Sequence, residues 1–272
     1  MEKKILFVDL DGTLLTDSKE ITPENLEAIQ EATALGHAVV VTTGRPLYST
    51  LRQLEKLGMT RPGCYAITSN GALIYNAHTK ETIFRTGVSR DYLREAFDEA
   101  YKYNIHPQTY SDNGVLCEHD TPELQYYAKS NVIRYDIVED VAQALDFDPI
   151  KMLFIDLRDR NKLEQFREHM EPWSKAHHID MFFSCDQYLE FLPEGINKGS
   201  GIRWLCNYFQ VSLDNTLAAG DAENDITMLQ AVKTPCVMKN ARPEMYAYAS
   251  YITENDNNHS GIAEIIRKFM LS

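Results

Sequence analysis

The apolar and polar positions in the first third of the chain alternate between short buried strands and amphipathic helices. The apolar runs are nearly continuous, which is typical of strands covered on both faces. The first helix is predicted to begin at Thr22, a favourable N-cap, and to turn Ile29 and Leu35 inward. The pattern predicts strands over residues 5–10, 38–43 and 65–68 and helices over residues 22–36 and 47–57. This order is that of a parallel sheet with right-handed crossovers.

The middle of the chain follows a different pattern. Short alternating segments predict pairs of adjacent strands, and the turn Asp112-Asn113-Gly114 is a strong hairpin signal between two of them. Helices are predicted to begin near Thr121 and Asp159. Strand pairs mixed with helices indicate an α+β unit with an antiparallel sheet.

After Pro193 buried strands and helices alternate again, and one of these helices is predicted over residues 225–231. The sequence therefore predicts an α/β fold in which a Rossmann-like parallel-sheet core is interrupted by an inserted α+β cap domain. The core is assigned to residues 1–84 and 194–272, and the cap to residues 85–193.

Composition and charge argue against several classes of protein. With 27 Lys+Arg against 40 Asp+Glu, the net charge of -13 disfavours binding to nucleic acid or to an anionic membrane surface. The 5 cysteines include no Cys-x-x-Cys pair, which favours a reducing compartment over a zinc ribbon or a disulfide framework. Asp9 and Asp11 interrupt the N-terminal apolar run, unlike a signal peptide, and no segment has the ~18 apolar residues of a membrane span. We expect a cytoplasmic protein, a monomer or weak homodimer, that binds neither nucleic acid nor membrane.

Polar side chains stand at the carboxyl ends of several predicted strands, where open parallel sheets bind ligands. They are Asp9 and Asp11 after the first strand, Thr43 after the second, Asp221 after a later strand, and Asp225 on the helix that follows. Four converging carboxylates are unfavourable unless a cation or shared protons compensate their charge. Hard oxygen ligands without His or Cys favour Mg²⁺. Thr43 and Lys198 would then supply a hydroxyl and a positive charge for phosphate oxygens.

A single Asp at a strand end is most often a turn former or a helix N-cap. The pair Asp9 and Asp11, followed directly by Gly12, goes beyond that role because a turn needs only one such residue. Lys198 lies at a predicted helix start, where the positive end of the helix dipole disfavours a cation, and this is a weak indication of use. Together, and in this order, these residues indicate a functional site.

The motifs resemble those of the haloacid dehalogenase superfamily of phosphohydrolases, and within it the Cof-like subfamily IIB, which has a large type-two cap. The motifs that carry the resemblance are Asp9-Leu-Asp-Gly-Thr13, Thr42-Thr-Gly-Arg-Pro46, Asn70-Gly-Ala72, Asn197-Lys-Gly199 and Gly220-Asp-Ala-Glu-Asn-Asp-Ile226, with weaker markers at Met238-Lys-Asn-Ala241 and Gly261-Ile262. They span almost the whole chain. Lys239 is a departure, since the family usually has Gly before Asn-Ala, and it is either harmless loop variation or an extra charge near the site entrance.

The resemblance implies a Mg²⁺-dependent phosphatase that hydrolyses small phosphorylated metabolites, sugar phosphates foremost, through an aspartyl-phosphate intermediate. Asp9 would be the nucleophile, and Asp11 would protonate the leaving oxygen and then activate water. Thr43 and Lys198 would also be catalytic because they would hold the transferring oxygens. The implied Mg²⁺ ligands are Asp9, the backbone carbonyl of Asp11, Asp221 and Asp225. The implied substrate-binding residues are Thr43, Gly44, Arg45, Lys198 and Asn224, with Asn240 near the phosphate or behind these groups.

The cap would close over the substrate and select the leaving group, as lids do in shielded active sites. The candidate specificity residues are Arg45 in the core and His106, Tyr110, Glu118, His119 and Glu190 in the cap. Aromatic and His residues of a cap sheet are more often packing or surface groups, so Arg45 is the strongest of these candidates.

Two other functions stay open at this point. A phosphomutase or phosphotransferase would return the phosphoryl group to a sugar instead of water, and the Asp9 and Asp11 pair suits both reactions. A catalytically silent Mg²⁺-binding protein would normally have lost one of these two residues. A phospho-accepting receiver domain has no inserted cap, and a nicotinamide-binding Rossmann protein carries a Gly-x-Gly-x-x-Gly turn that this sequence lacks.

Overall fold

The computed structural model describes residues 2–111 and 113–271. The chain divides into two compact units, Met1–Phe84 with Asn197–Ser272, and Arg85–Ile196. The second boundary falls after residue 196 instead of residue 193. The reason lies in local bonding within the second unit, where the Glu194 amide donates to the His178 carbonyl at 2.7 Å.

The strands are β1 (Ile5–Val8), β2 (Ala38–Thr42), β3 (Cys64–Thr68), β4 (Leu73–Asn76), β5 (Glu81–Arg85), β6 (His106–Ser111), β7 (Gly114–Cys117), β8 (Tyr135–Ile137), β9 (Met152–Ile155), β10 (Ile179–Cys185), β11 (Tyr188–Pro193), β12 (Thr216–Gly220), β13 (Thr234–Val237) and β14 (Tyr251–Ile252). The α-helices are α1 (Pro23–Ala34), α2 (Leu47–Lys56), α3 (Asp91–Lys102), α4 (Pro122–Asn131), α5 (Val141–Ala144), α6 (Arg160–Ala176), α7 (Lys198–Phe209), α8 (Ile226–Leu229) and α9 (Gly261–Phe269). Short 3-10 helices cover Ser69–Gly71, Leu213–Asn215, Glu223–Asp225, Pro243–Tyr248 and Asn257–His259.

The first unit is built on a sheet with the strand order β14-β13-β12-β1-β2-β3-β4-β5. The strands from β14 to β3 are parallel, and β4 runs antiparallel to β3. All four residues of the central strand β1 are buried, as its continuous apolar run predicts. Val8 pairs with Val41 on one side and Ala219 on the other. The residues that follow these three strands therefore lie at one edge of the sheet.

Helix α1 tests the predicted helix boundaries. Thr22 is its N-cap, and the Thr22 hydroxyl accepts a hydrogen bond from the Asn25 amide at 3.3 Å, which confirms the predicted start. The inward orientation predicted for Leu35 is wrong, because this residue is the C-cap, beyond the last helical turn, and is 52% exposed. The helix predicted over residues 225–231 is also shorter in the structure, where a 3-10 turn precedes α8.

The second unit is an α+β sandwich of helices on a mostly antiparallel sheet with the strand order β10-β11-β9-β6-β7-β8. Phe97 and Phe166 from α3 and α6 pack against Phe154 and Phe191 of the sheet. The predicted helix starts at Thr121 and Asp159 are confirmed as N-caps. The predicted hairpin joins β6 and β7, although its Asp112 lies outside the described residues. The sequence pattern missed the short elements β8 and α5.

The fold prediction is confirmed: a parallel-sheet α/β core is interrupted along the chain by an α+β unit. Within residues 2–111 and 113–271, none of the helices combines the length and apolarity that a membrane crossing requires.

Candidate active site

Lys198 is the central charge of the site. It is the first residue of α7, whose N-cap Asn197 accepts a hydrogen bond from the Ser200 amide, and its side chain is fully buried. The Lys198 Nζ donates to Asp9 Oδ1 and to Asp225 Oδ1, both at 2.6 Å. The attraction of these two carboxylates outweighs burial and holds the pKa of Lys198 above its ordinary value. The buried ammonium therefore stays charged and joins the end of β1 to the turn after β12.

That turn is shaped by Asp225. Its Oδ2 accepts hydrogen bonds from the backbone amides of Asp221 at 3.0 Å and of Ala222 at 3.1 Å. Asp221 in turn accepts a hydrogen bond from the Thr13 hydroxyl at 2.8 Å, so the loop after β1 and the loop after β12 are joined by side chains. These contacts fix the carboxylate of Asp221 close to that of Asp9.

The carboxylate cluster fits a hard divalent cation. Asp9, Asp221 and Asp225 each offer an oxygen, and these three oxygens lie within 4.8 Å of one another. Burial raises the pKa of Asp9 to about 8, an effect that Lys198 opposes and Asp225 reinforces. Burial and the charge of Asp225 raise the pKa of Asp221 to about 6. One lysine does not compensate three carboxylates, and an all-oxygen donor set is the one that Mg²⁺ prefers.

Asp11 stands apart from this cluster and is held by two cations. Arg45 forms a fork with it, with Nε 2.7 Å from Oδ2 and Nη2 2.7 Å from Oδ1, and Lys19 Nζ lies 2.6 Å from Oδ1. Burial alone would raise the pKa of Asp11, but the hydrogen bonds and charges of Arg45 and Lys19 lower it. The two cations therefore favour the ionised form of Asp11.

The remaining predicted residues lie on two loops. Thr43 is buried after β2, where its hydroxyl accepts a hydrogen bond from the Arg45 amide at 3.2 Å. Gly44 passes close to Asn70, and a Cβ on this glycine would lie 3.0 Å from Asn70 Oδ1. Asn224 lies in the 3-10 turn Glu223–Asp225 and is partly exposed. The structure thus brings Lys198 together with Asp9, Asp221 and Asp225 in one cluster. Asp11 is paired with Arg45 instead.

Sequence reasoning missed two residues with direct contacts in this site. Thr13 binds Asp221, and its position directly after the Asp9-Leu-Asp-Gly run was an available signal. Lys19 binds Asp11, and nothing in the polar segment around it distinguishes it from an ordinary loop lysine.

The candidate specificity residues of the second unit have polar or aromatic partners inside that unit. The partners are Thr121 and Gln108 for His106, Tyr127 for Tyr110, Tyr101 for Glu118 and His119, and Lys151 for Glu190. Burial lowers the pKa of His106 to about 4, which keeps its ring neutral near pH 7. Lys151 and Glu190 form a buried ion pair at 2.7 Å. These contacts account for the residues structurally.

Lys239, the departure from the family motif, has its amine and its backbone amide bonded within the first unit. Its Nζ donates to the carbonyl of Glu254 at 2.8 Å, and its amide donates to the Thr253 hydroxyl at 2.9 Å. The side chain therefore ties two loops of the first unit together.

Gly12 allows the loop after β1 to pass against Asp221. Its φ is +75°, and a Cβ at this position would lie 2.4 Å from Asp221 Oδ2. We expect Gly12→Ala to lower kcat/KM by about 10–100-fold, because a shift of about 1 Å in a reacting group costs up to about 100-fold. The matched control is Gly36→Ala, which has φ +87° but open space around the Cβ. It should cost about 1–2 kcal/mol of stability and leave kcat/KM within about twofold. Equal activity losses in the two variants would contradict the steric role of Gly12.

The parallel sheet with its acidic strand ends and inserted unit places the protein among α/β proteins whose site lies at the carboxyl edge of the sheet. The sequence matches the haloacid dehalogenase-like hydrolase family over residues 6–266, and the chain belongs to that family. It is 34% identical to a Streptococcus pyogenes protein that is provisionally named a phosphatase, over 100% of both chains. It is 28% identical to the Bacillus subtilis 5-amino-6-(5-phospho-D-ribitylamino)uracil phosphatase YcsE, over 98% of this chain and 96% of the relative.

Among solved structures, a haloacid dehalogenase-like hydrolase from Bacteroides thetaiotaomicron superposes with a TM-score of 0.89 at 26% identity. The match covers 98% of this chain and 99% of that one. The family predicted from the motifs is therefore confirmed, and the protein is a hydrolase of the haloacid dehalogenase type.

Proposed function

We propose that the protein is a Mg²⁺-dependent phosphatase that hydrolyses small phosphorylated metabolites through an aspartyl-phosphate on Asp9. The observation that carries this proposal is the position of Lys198 between Asp9 and Asp225, beside a third carboxylate from Asp221. The arrangement combines a carboxylate nucleophile with positive charge and cation ligands, which are the requirements of phosphoryl transfer.

The reaction is assigned to two carboxylates. Lys198 holds Oδ1 of Asp9, and we assign the attack on phosphorus to Oδ2. As the new O–P bond forms, the bond from phosphorus to the leaving oxygen breaks, and that oxygen takes a proton from Asp11. To carry this proton, Asp11 first has to release a bond to Arg45 or Lys19. Asp11 then accepts a proton from water as this water attacks the aspartyl-phosphate. Phosphate leaves, and Asp9 is regenerated.

The phosphate oxygens are assigned to the residues around this pair. Thr43, Gly44, Arg45, Lys198 and Asn224 are the proposed binding residues. Mg²⁺ would be held by the carboxylates of Asp9, Asp221 and Asp225 and the backbone carbonyl of Asp11. When bound, it would neutralise charge on the transferring phosphoryl group.

Sugar and polyol phosphates are the proposed substrate class. The named relative YcsE acts on a compound whose phosphate is carried by a ribityl chain, which supports a polyhydroxylated leaving group. We assign residues 85–196 the role of specificity domain, and we place the enzyme in the cytoplasm. The cysteines of the described residues are free thiols, which fits a reducing compartment.

A phosphate-release screen over phosphorylated sugars, polyols and cofactors tests this function. We expect release that requires Mg²⁺, is lost in EDTA and returns when Mg²⁺ is added back. The same reactions are run with a bisphosphorylated sugar as activator and followed for the transferred phosphoryl group. If no phosphate is released from any compound, including an activated aryl phosphate, the phosphatase proposal fails and a catalytically silent Mg²⁺-binding protein is favoured. If transfer of the phosphoryl group to a sugar greatly exceeds release of phosphate, the protein is a phosphomutase and the phosphatase proposal is wrong.

A further inference from the structure

The loop after β1 carries two groups of the site and is folded back on itself. The Leu14 amide donates to the Asp9 carbonyl at 3.2 Å, and the Leu15 amide donates to the Leu10 carbonyl at 2.8 Å. Asp11 and Leu15 form an isolated bridge across this turn. The position of Leu15 is thereby coupled to the backbone of Asp11, from which the carboxylate projects.

Two asparagines from distant parts of the sequence grip this turn at its two ends. Asn240 Nδ2 donates to the Gly12 carbonyl at 2.8 Å. Asn257 Nδ2 donates to the Leu15 carbonyl at 3.0 Å and to Asp17 Oδ1 at 3.1 Å. The backbone amide of Asn257 also donates to Asn240 Oδ1 at 3.1 Å, so the two residues form one continuous strap.

Asn257 is the buried member of the strap. It is 2% exposed, and both donor positions of its side-chain amide point at acceptors of the loop. A buried side-chain amide whose two N–H groups both donate to one loop restrains that loop strongly, because moving the loop would leave a buried donor without an acceptor, which costs free energy. This use of Asn257 differs from that of Asn25, another buried asparagine of the same unit, whose Oδ1 accepts from the Ala263 amide at the start of α9.

We propose that Asn257, acting with Asn240, is a positioning residue for the reaction at Asp9 and Asp11. It holds the turn that presents Asp11, and its side-chain amide donates to Leu15 and Asp17 instead of to the carboxylate cluster. This inference rests on the proposed phosphatase function.

The decisive variant is Asn257→Asp, which keeps the shape of the side chain and replaces the donor with an acceptor facing the Leu15 carbonyl and Asp17. We expect kcat on an aryl phosphate to fall by about 10–100-fold while KM stays within about threefold, since misplacement of Asp11 affects the chemical step. The double variant Asn257→Asp with Asp17→Asn restores a donor–acceptor pair at position 17 but leaves the Leu15 carbonyl facing an acceptor, so kcat should stay low. Recovery to the wild-type kcat would overturn the role of the Leu15 contact.

The matched control is Asn25→Ala, which removes a buried asparagine side chain outside the strap. We expect it to lower the thermal midpoint while kcat at 25 °C stays within about twofold of wild type. Asn240→Ala removes the exposed half of the strap without opening the core, and it should reduce kcat in the same direction as Asn257→Asp. An Asn240→Ala protein with wild-type kcat overturns the proposal even where Asn257→Asp fails to fold.

Hydrogen exchange of the backbone amides of residues 10–16 separates this inference from the phosphatase proposal. In Asn257→Asp and in Asn240→Ala these amides should exchange faster, and in Asn25→Ala they should not. If wild-type protein releases phosphate from no compound, the phosphatase proposal fails while the exchange result still decides whether the strap holds the loop. Unchanged exchange in both strap variants overturns the inference.

Discussion

Replacing Asp9 with Asn is expected to remove phosphatase turnover, by on the order of 10⁴-fold or more, because loss of a covalent nucleophile forces a different and much slower reaction. The amide has no free anionic oxygen to attack phosphorus. It also cannot form the acyl phosphate through which the reaction is proposed to pass. Steady-state phosphate release and acid-quenched labelling of the protein measure the two losses separately.

The same variant is expected to stay folded. Burial already raises the pKa of Asp9 to about 8, so the metal-free folded state disfavours its charge. The sign follows directly: a raised carboxyl pKa lowers stability as pH rises from about 4 to 8, and a neutral amide avoids that loss. We expect the thermal midpoint of metal-free Asp9→Asn to equal or exceed that of metal-free wild type between pH 7 and 8.

The control for Asp9→Asn is Asp214→Asn, which changes an exposed carboxylate whose nearest described cation, Lys233, lies 3.7 Å away. Its activity should be unchanged. Mass spectrometry of the assayed Asp9→Asn protein is needed as well, since deamidation would restore aspartate. Robust activity in a sample verified to be free of aspartate at position 9 would remove the nucleophile assignment.

The main features of the fold could be predicted because their signals are local. Residues 5–8 and 38–41 are continuous apolar runs, and both became buried strands of the parallel sheet. Asp9 and Asp221 directly follow predicted parallel strands. Because parallel strands end at the same edge of a sheet, the sequence predicted that these two residues lie at that edge. The error at Leu35 has a local cause too, since an apolar residue at a helix C-cap looks in sequence like one more turn of the helix.

The electrostatic partners of the site could not be predicted in the same way. Lys19 reaches Asp11 from a loop position with a φ of +63°, a conformation that no apolar pattern encodes. Asn257 reaches Leu15 from near the other end of the chain, and its role depends on how the loop before α9 packs. Contacts of this kind follow from tertiary structure, and a single sequence contains no periodic signal for them.

Asp11→Asn is the second substitution with a large expected effect, and it should lower kcat by about 10²–10⁴-fold, the usual contribution of general acid–base catalysis. The amide cannot take a proton from the attacking water. Breakdown of the aspartyl-phosphate should therefore slow more than its formation when the leaving group is a good one. With an activated aryl phosphate, phosphorylated Asp9 should accumulate and be visible by rapid quench and intact mass.

Binding should respond in the opposite direction. In the wild type Arg45 and Lys19 are both paired with Asp11, and the substitution leaves these two cations without that anionic partner. An anionic substrate then meets less competition for them, so KM should stay unchanged or fall while kcat collapses.

Lys19→Gln distinguishes the proton-transfer role of Asp11 from a purely electrostatic one. It removes one cation beside Asp11 and keeps the carboxylate, and we expect kcat to change by less than about fivefold, as for an exposed ion pair. If Lys19→Gln reproduced the phosphoenzyme accumulation of Asp11→Asn, the loss would come from the disturbed ion pair and not from a missing base. Wild-type-like steady-state rates in Asp11→Asn itself would contradict the acid–base role, because turnover would then need only the nucleophile Asp9 and no proton transfer by Asp11.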